Sequence, residues 1–139
     1  ADTQRAKAAS ELRLDLALRA ANLGMWDWDT SRPFIYFEEP FARYIGRPDL
    51  PREVPMATLM SITDPADGAR FNAQMSDLLR GRTGFFDIEH RVRHADGRWI
   101  WLHTFGNVTA RDPSGRAQRV TGVIADITAR KAMEAQLAE

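Results

Sequence analysis

The second half of the chain contains two histidines, His90 and His103, whose imidazole side chains could carry out the most specific chemistry that this sequence offers. They lie in FFDIEHRVRHADGRWIWLHTFGNV (85–108), which alternates with period two and contains a preferred two-residue turn, Asp96-Gly97. With that turn, His90 pairs with His103, so both imidazoles are predicted on one face of a hairpin. They could begin a zinc site, form a hydrogen-bonded core pair or contact an organic ligand. Because the chain has no cysteine and that face offers no carboxylate partner, we predict no metal site, and the other two interpretations stay open.

The same register divides the hairpin into two faces. One is predicted to belong to a core, and it carries Phe86, Ile88, His90, Val92, Trp101, His103 and Phe105. The other mixes charged and apolar side chains: Asp87, Glu89, Arg91 and Arg93 beside Ile100, Leu102 and Thr104. We expect the N-terminal helix to cover the apolar residues of this second face.

Aromatic side chains offer a second chemistry, because Trp26, Trp28, Trp99 and Trp101 could stack on a flavin. A tryptophan in a sheet is more often part of the core, since each tryptophan buries about 150–250 Å².

The sequence gives little support for catalysis: no Gly-x-Ser-x-Gly turn, phosphate-binding loop or metal-binding motif occurs. Asp27 and Asp29 fit solvated carboxylates better than an acid/base pair. We therefore predict no catalytic residue.

Length and composition restrict the function classes. The 139 residues fit one domain, and 44% hydrophobic with 27% charged residues is typical of a globular protein. Lys+Arg and Asp+Glu are each 19, so the electrostatic signature of nucleic-acid or anionic-membrane binding is missing. The sequence contains no apolar run long enough for a membrane span. Together these features favour a cytoplasmic protein with no nucleic-acid or membrane partner.

Helix and strand patterns place these residues in an α+β fold. Residues 10–22 repeat leucines at helical spacing, MWDWDT and Phe34 to Phe37 read as a hairpin, and RPDLPREVP reads as a loop. A longer helix is predicted from Asp64 and Pro65 to Gly81, with Phe71 and Met75 on its buried face. Three antiparallel strands follow, and Thr128 onward is helix-forming.

Four strings in the right order resemble the PAS family, in the subgroup with a following PAC segment. They are LALRAANLGMWDWD, DPAD (64–67), IEHRVRHADGRWIWL and TGVIADITARK. The resemblance covers roughly residues 11–131. It implies a five-stranded antiparallel sheet with helices on one face and a flanking helix at each end. The chain then divides into a linker (1–10), the PAS/PAC domain (11–127, opening with a flanking helix, 11–23) and the start of an exit helix (128–139).

The resemblance also assigns roles to residues. The family's cavity lies between the long helix and the sheet, so the candidate ligand contacts are Phe71, Met75, Ile88, His90, Trp101, His103 and Phe105. Asp126 and Thr128, at the junction with the exit helix, are the expected residues of signal transmission. This sequence departs from the family at Thr63, where His is common, and at His90, where Tyr or another large residue is common.

The residues present restrict which of the family's cofactors this chain could bind. With no cysteine, a cysteinyl flavin or covalent chromophore is not expected, and residues 64–80 lack a histidine that could ligate haem. A non-covalent flavin, a small acid or amine, or no ligand at all remain open.

The resulting hypothesis is a non-enzymatic sensory input domain of a bacterial signalling protein. It would be homodimeric through its flanking helices and covalently linked to a kinase or cyclic-dinucleotide output domain. The alternatives are a ligand-free dimerisation module and, more remotely, a small ligand-converting enzyme.

Overall fold

Helices and strands alternate along residues 2–138, which are the residues that the computed structural model describes. Their order is α1 (Asp2–Ala20), β1 (Leu23–Asp29), β2 (Phe34–Phe37), α2 (Glu39–Tyr44), β3 (Glu53–Pro55), α3 (Met56–Ile62), α4 (Pro65–Leu79), β4 (Phe86–Arg93), β5 (Trp99–Arg111), β6 (Ala117–Asp126) and α5 (Thr128–Ala138). The strands form one antiparallel sheet in the order β3-β2-β1-β6-β5-β4. The predicted α+β class is confirmed. The sheet has six strands where five were predicted, because part of the expected loop RPDLPREVP pairs with β2 as β3.

The register of the β4–β5 hairpin differs from the prediction by one residue. The loop has three residues: the His94 N–H donates to the Arg98 carbonyl at 2.8 Å, and the Gly97 N–H donates to the His94 carbonyl at 2.9 Å. Gly97 adopts φ +95°, the left-handed position that such loops reserve for glycine. His90 therefore lies opposite Leu102 rather than His103.

A shift of one residue exchanges the two faces of β5. The inner face carries Ile100, Leu102 and Thr104, which are buried beside Ile88, His90 and Val92 of β4. The outer face carries Trp99, Trp101, His103 and Phe105. The prediction that α1 covers Ile100 and Leu102 is therefore wrong, because both belong to the main core.

The helix α1 starts earlier and is less buried than its leucine pattern indicated. It begins at Asp2, so the residues predicted as a linker are helical in the described range, and none of its residues is buried. Leu12, Leu14 and Leu16 are each more than half exposed. Within residues 2–138, the apolar stripe of α1 therefore stays largely uncovered.

Two facing glycines make room for the largest side chain of the core. Trp26 of β1, Gly122 of β6, Gly106 of β5 and Phe86 of β4 form one row across the inner face. A Cβ on Gly106 would lie 2.5 Å from Cζ2 of the Trp26 ring, and one on Gly122 would lie 2.7 Å from the same atom. The indole also donates from Nε1 to the Val123 carbonyl at 3.1 Å. Trp26 can therefore lie across the sheet only because both positions lack a side chain.

The helix α4 begins as predicted. The Asp64 carboxylate accepts the N–H groups of Ala66 and Asp67 at 3.1 Å each, and Pro65 occupies the first helical position. Phe71, Met75 and Leu78 are buried, which confirms the predicted face. These residues place α4 over the inner face beside the edge strand β4.

Replacement of Gly106 tests the Trp26 packing. Gly106→Ala should lower the free energy of unfolding by about 1–3 kcal/mol, because the indole must move away from the new methyl group. Gly84→Ala is the matched control, since no atom lies within 4 Å of its added Cβ, and it should change stability by less than about 0.5 kcal/mol. Urea denaturation of both variants measures this, and equal effects would contradict the packing argument.

Candidate functional site

A small buried cavity lies between the helices α3 and α4 and the inner face of the sheet. Its volume is about 30 Å³, which is room for roughly two water-sized groups. The lining is mainly aliphatic and aromatic: Trp26, Ile35, Phe37, Phe41, Leu59, Met60, Ile62, Thr63, Phe71, His90, Val92, Thr104 and Ile124. Among residues 2–138, His90 is the only acidic or basic side chain that lines this cavity.

The structure brings together only part of the predicted ligand set. Phe71 and His90 line the cavity, whereas Met75 and Ile88 are buried in the same core without lining it. Trp101, His103 and Phe105 lie on the outer face, because of the register shift. The cavity residues that the sequence did not indicate include Ile35, Met60 and Thr104, whereas Trp26 and Thr63, both singled out in the sequence, do line it. The Asp96-Gly97 dipeptide occurs in both two- and three-residue loops, so it did not distinguish the two registers.

His90 is the polar centre of the cavity. Its Nε2 lies 2.8 Å from the Thr104 hydroxyl, and its ring contacts Phe71 edge-to-face at 5.4 Å between centroids. Its Nδ1 is buried without a hydrogen-bond partner. Burial lowers the pKa of His90 to about 4, with Asp67 opposing this shift and Arg70 and His103 adding to it. The imidazole is therefore neutral at pH 7, with one unsatisfied nitrogen.

The two threonines add hydroxyl groups to the cavity wall. Thr63 Oγ1 donates to the Leu59 carbonyl at 2.7 Å, which leaves its lone pairs free to accept. Thr63 also forms an isolated antiparallel bridge with Val92, so its backbone is attached to the end of β4. The surface of the cavity is thus almost entirely apolar, and His90, Thr63 and Thr104 are the residues at its wall that carry neutral polar groups.

A buried carboxylate joins α4 to the edge of the sheet beside this cavity. Asp67 accepts the Arg91 N–H at 2.8 Å, the Arg91 guanidinium at 2.9 and 3.2 Å, and Arg70 Nη2 at 3.0 Å. The hydrogen bonds from Arg91 hold the pKa of the Asp67 carboxyl well below its usual range. In addition, the Asp64 N–H donates to the Arg91 carbonyl and Arg70 donates to the Glu89 carbonyl. The N–H and carbonyl of Arg91 and the carbonyl of Glu89, on the edge strand, are therefore bonded by residues of α4 and its N-cap.

The predicted transmission residues meet at the start of α5. The Asp126 carboxylate accepts the Thr128 N–H at 3.0 Å and the Thr128 hydroxyl at 2.6 Å. Thr128 Oγ1 in turn accepts the Trp101 N–H at 3.0 Å, and the Ile127 N–H donates to the Trp101 carbonyl at 2.9 Å. This junction attaches the first residue of α5 to β5.

Other sequence candidates lie apart from the cavity. His103 is on the outer face with Asp87, 2.5 Å from its carboxylate. Asp27, expected as a solvated carboxylate, is instead bound by Arg119 Nε at 2.8 Å. Residues 2–138 contain no cluster of three or more potential metal ligands, and within this range no helix is both long and apolar enough to cross a membrane.

The sequence matches the family described as PAS fold over residues 34–124. That match spans more than half of the chain. The chain belongs to the PAS-fold family. No curated protein matches the sequence.

Solved structures place this PAS domain among sensor proteins. A sensory box histidine kinase/response regulator from Burkholderia thailandensis is 31% identical, with 91% of this chain and 92% of that chain covered and a TM-score of 0.78. The N-terminal domain of a diguanylate cyclase with PAS/PAC sensor from Marinobacter aquaeolei is 19% identical, with coverages of 78% and 98% and a TM-score of 0.67. A domain of a putative light and redox sensing histidine kinase from Haloarcula marismortui is 21% identical, with coverages of 84% and 98% and a TM-score of 0.64. The last two likenesses show the fold alone.

The Asp67 junction can be tested by stability measurements on the PAS domain. Asp67→Asn should lower the free energy of unfolding by about 2 kcal/mol, because charged hydrogen bonds to Arg91 and Arg70 are lost. Asp77→Asn is a matched control on the same helix: its pair with Arg82 is exposed and 3.4 Å long, so the cost should be below about 0.5 kcal/mol. If both variants lose the same free energy of unfolding in urea denaturation, the buried Asp67 carboxylate stabilises the domain no more than the exposed pair does.

The His90 pKa gives a testable pH dependence. An unfolded histidine takes up a proton near pH 6.5, whereas folded His90 does so only near pH 4. The free energy of unfolding should therefore fall as the pH falls through this window, by at most about 3 kcal/mol from this residue. His90→Gln removes the titrating group, so its stability should depend less on pH between 6.5 and 4. If the free energy of unfolding, measured by urea titration, changes equally with pH in wild type and in His90→Gln, the lowered pKa of His90 would be refuted.

Proposed function

We propose that this PAS domain is the sensory input module of a larger bacterial signalling protein and that it binds a small uncharged ligand in its core cavity. The observation that carries the proposal is the unpartnered Nδ1 of buried His90 at the cavity wall. A buried polar atom without a partner costs free energy, which a hydrogen-bonding ligand recovers. Nothing supports turnover by the isolated domain, and we propose no enzymatic activity for it.

The cavity lining favours a neutral ligand. A charged acid or amine would lose its hydration without meeting an opposite charge, since the polar atoms of the wall belong to neutral His90, Thr63 and Thr104. The volume of about 30 Å³ is far below that of a flavin, so a non-covalent flavin would require the core to open. A compound of a few heavy atoms fits with little rearrangement.

The helix α5 is the part of the domain that would lead to an output domain. The domain proper would end near residue 127, and α5 would continue into a covalently linked output domain. The sensory box histidine kinase/response regulator among the similar structures carries such a domain by name, which supports a kinase as the output. A cyclic-dinucleotide enzyme is the alternative output, and in either case we expect the protein in the cytoplasm. Ligand binding would act by shifting the population between two arrangements of the sheet and α5, with Asp126 and Thr128 at the junction.

A ligand-free dimerisation module is the second candidate, and exposed leucines favour it. Leu12, Leu14 and Leu16 of α1, together with Met133 and Leu137 of α5, are each more than half exposed. A second copy covering these helices would bury them. This candidate predicts association that depends on protein concentration and is lost when residues 1–20 are removed.

The ligand hypothesis can be tested with ethanol and acetamide as probes. Probes this small should bind with dissociation constants in about the millimolar range and shift the NMR resonances of His90 and Thr104. Val92→Ile adds a methylene group to the cavity wall and should abolish the shifts. Val108→Ile is the control, because Val108 packs on the same core without lining the cavity.

Two outcomes would contradict ligand binding in the cavity. Equal shifts in wild type and Val92→Ile would place the probes elsewhere. Absence of shifts, with sedimentation showing a dimer that needs residues 1–20, would favour the dimerisation module. A visible flavin band in the purified protein would overturn the preference for a small ligand.

A further inference from the structure

Three consecutive residues of β4 connect the cavity, α4 and the exit helix. His90 points to the inner face and lines the cavity, whereas its neighbours Glu89 and Arg91 lie on the outer face. Arg91 is bound by Asp67 of α4. Glu89 is bound by Lys131 at 2.6 Å and by Arg130, both of α5. A displacement of this strand segment therefore reaches both helices through direct contacts.

The contact between Glu89 and α5 is better shielded than an ordinary surface ion pair. The Glu89 side chain is 34% exposed and that of Lys131 is 26% exposed. Lys131 Nζ also lies 4.8 Å from the centre of the Trp101 ring, and Arg91 lies over the same ring at 5.3 Å. The hydrogen bond from Lys131 lowers the pKa of the Glu89 carboxyl. Lys131 and Arg130 thus bind one carboxylate, and Lys131 also contacts the Trp101 ring, so that its two contacts support one another.

The position of this contact along α5 matters for the direction of the helix. The junction at Asp126 and Thr128 attaches only the first residue of α5, and one attachment point leaves a helix free to pivot. Lys131 lies almost one turn further on, so a second attachment there sets the angle of the axis. From these contacts we infer that Glu89 is a positioning residue that clamps α5 against the sheet and couples the cavity to the angle of the exit helix.

This inference rests on the proposed function, in which cavity occupancy is the signal, but the clamp itself can be measured without a ligand. Glu89→Gln keeps the size of the side chain and removes its charge. Backbone amides of residues 131–135 should then exchange with solvent about three- to tenfold faster. The amides of Trp101 and Ile127 should keep their protection, because their hydrogen bonds at the junction do not involve Glu89.

Asp87→Asn provides the matched control. Asp87 lies on the same face of β4 and pairs with His103, not with α5, so its replacement should leave the exchange of residues 131–135 unchanged. Raised salt should accelerate exchange of α5 more in wild type and in Asp87→Asn than in Glu89→Gln, where Arg130 and Lys131 keep only their pairs with Glu134. Unchanged exchange in Glu89→Gln, or an equal effect of Asp87→Asn, would overturn the clamp.

The coupling is tested by a double-mutant cycle with the cavity-filling variant. Val92→Ile should change the exchange of residues 131–135 in the wild-type background, and this effect should disappear in Glu89→Gln. An effect of the same size in both backgrounds would show that the coupling bypasses Glu89. If the probes do not bind at His90 but the effect of Val92→Ile still depends on Glu89, ligand binding would be rejected and the coupling retained. Failure of the proposed function can therefore be distinguished from failure of the coupling.

Discussion

The attachment of Asp67 to the edge strand β4 is the interaction on which the rest of the structure depends. Its carboxylate binds both the backbone N–H and the guanidinium of Arg91, so one side chain satisfies the edge of the sheet and fixes the start of α4. The cavity lies directly behind this contact, between α4 and the inner face. The same contact holds Arg91 in place over Trp101 on the outer face. Loss of the carboxylate would therefore affect the core and the outer surface together.

The size and the neutral lining of the cavity follow from the residues that fill the space around it. Trp26 fills the centre of the sheet because Gly106 and Gly122 leave room for its ring, and only about 30 Å³ stays open beside His90. Burial keeps that imidazole neutral, and the nearby charges of Asp67 and Arg70 lie outside the wall. The volume of the cavity is therefore well below the roughly 300–1,000 Å³ that is typical of small-molecule and cofactor sites.

The alternation of side chains in β4 explains how an internal event can reach the surface. Successive residues of a strand point to opposite faces, so a displacement of the backbone at His90 also moves its neighbours Glu89 and Arg91. One of these neighbours is bound to α4 and the other to α5. The Asp126–Thr128 junction supplies the pivot for α5, and Glu89 supplies the constraint on its angle. Residues 89–91 of β4 thus contact the cavity, α4 and α5.

Local patterns in the sequence determined the elements and their order except for β3, which was expected to be a loop. The start of α4 at Asp64 and Pro65 was predictable because capping depends on neighbouring residues alone. The helical pattern placed Phe71 on the buried face of α4, and the alternation along β4 placed His90 on the inner face. The β4–β5 register was decided by tertiary structure: the third loop residue moves Trp101, His103 and Phe105 outward and Leu102 inward. The burial of Asp67 was also decided there, since its partner Arg91 is 24 residues away in the chain. Contacts between distant segments are absent from local propensity, and the cavity is made of such contacts.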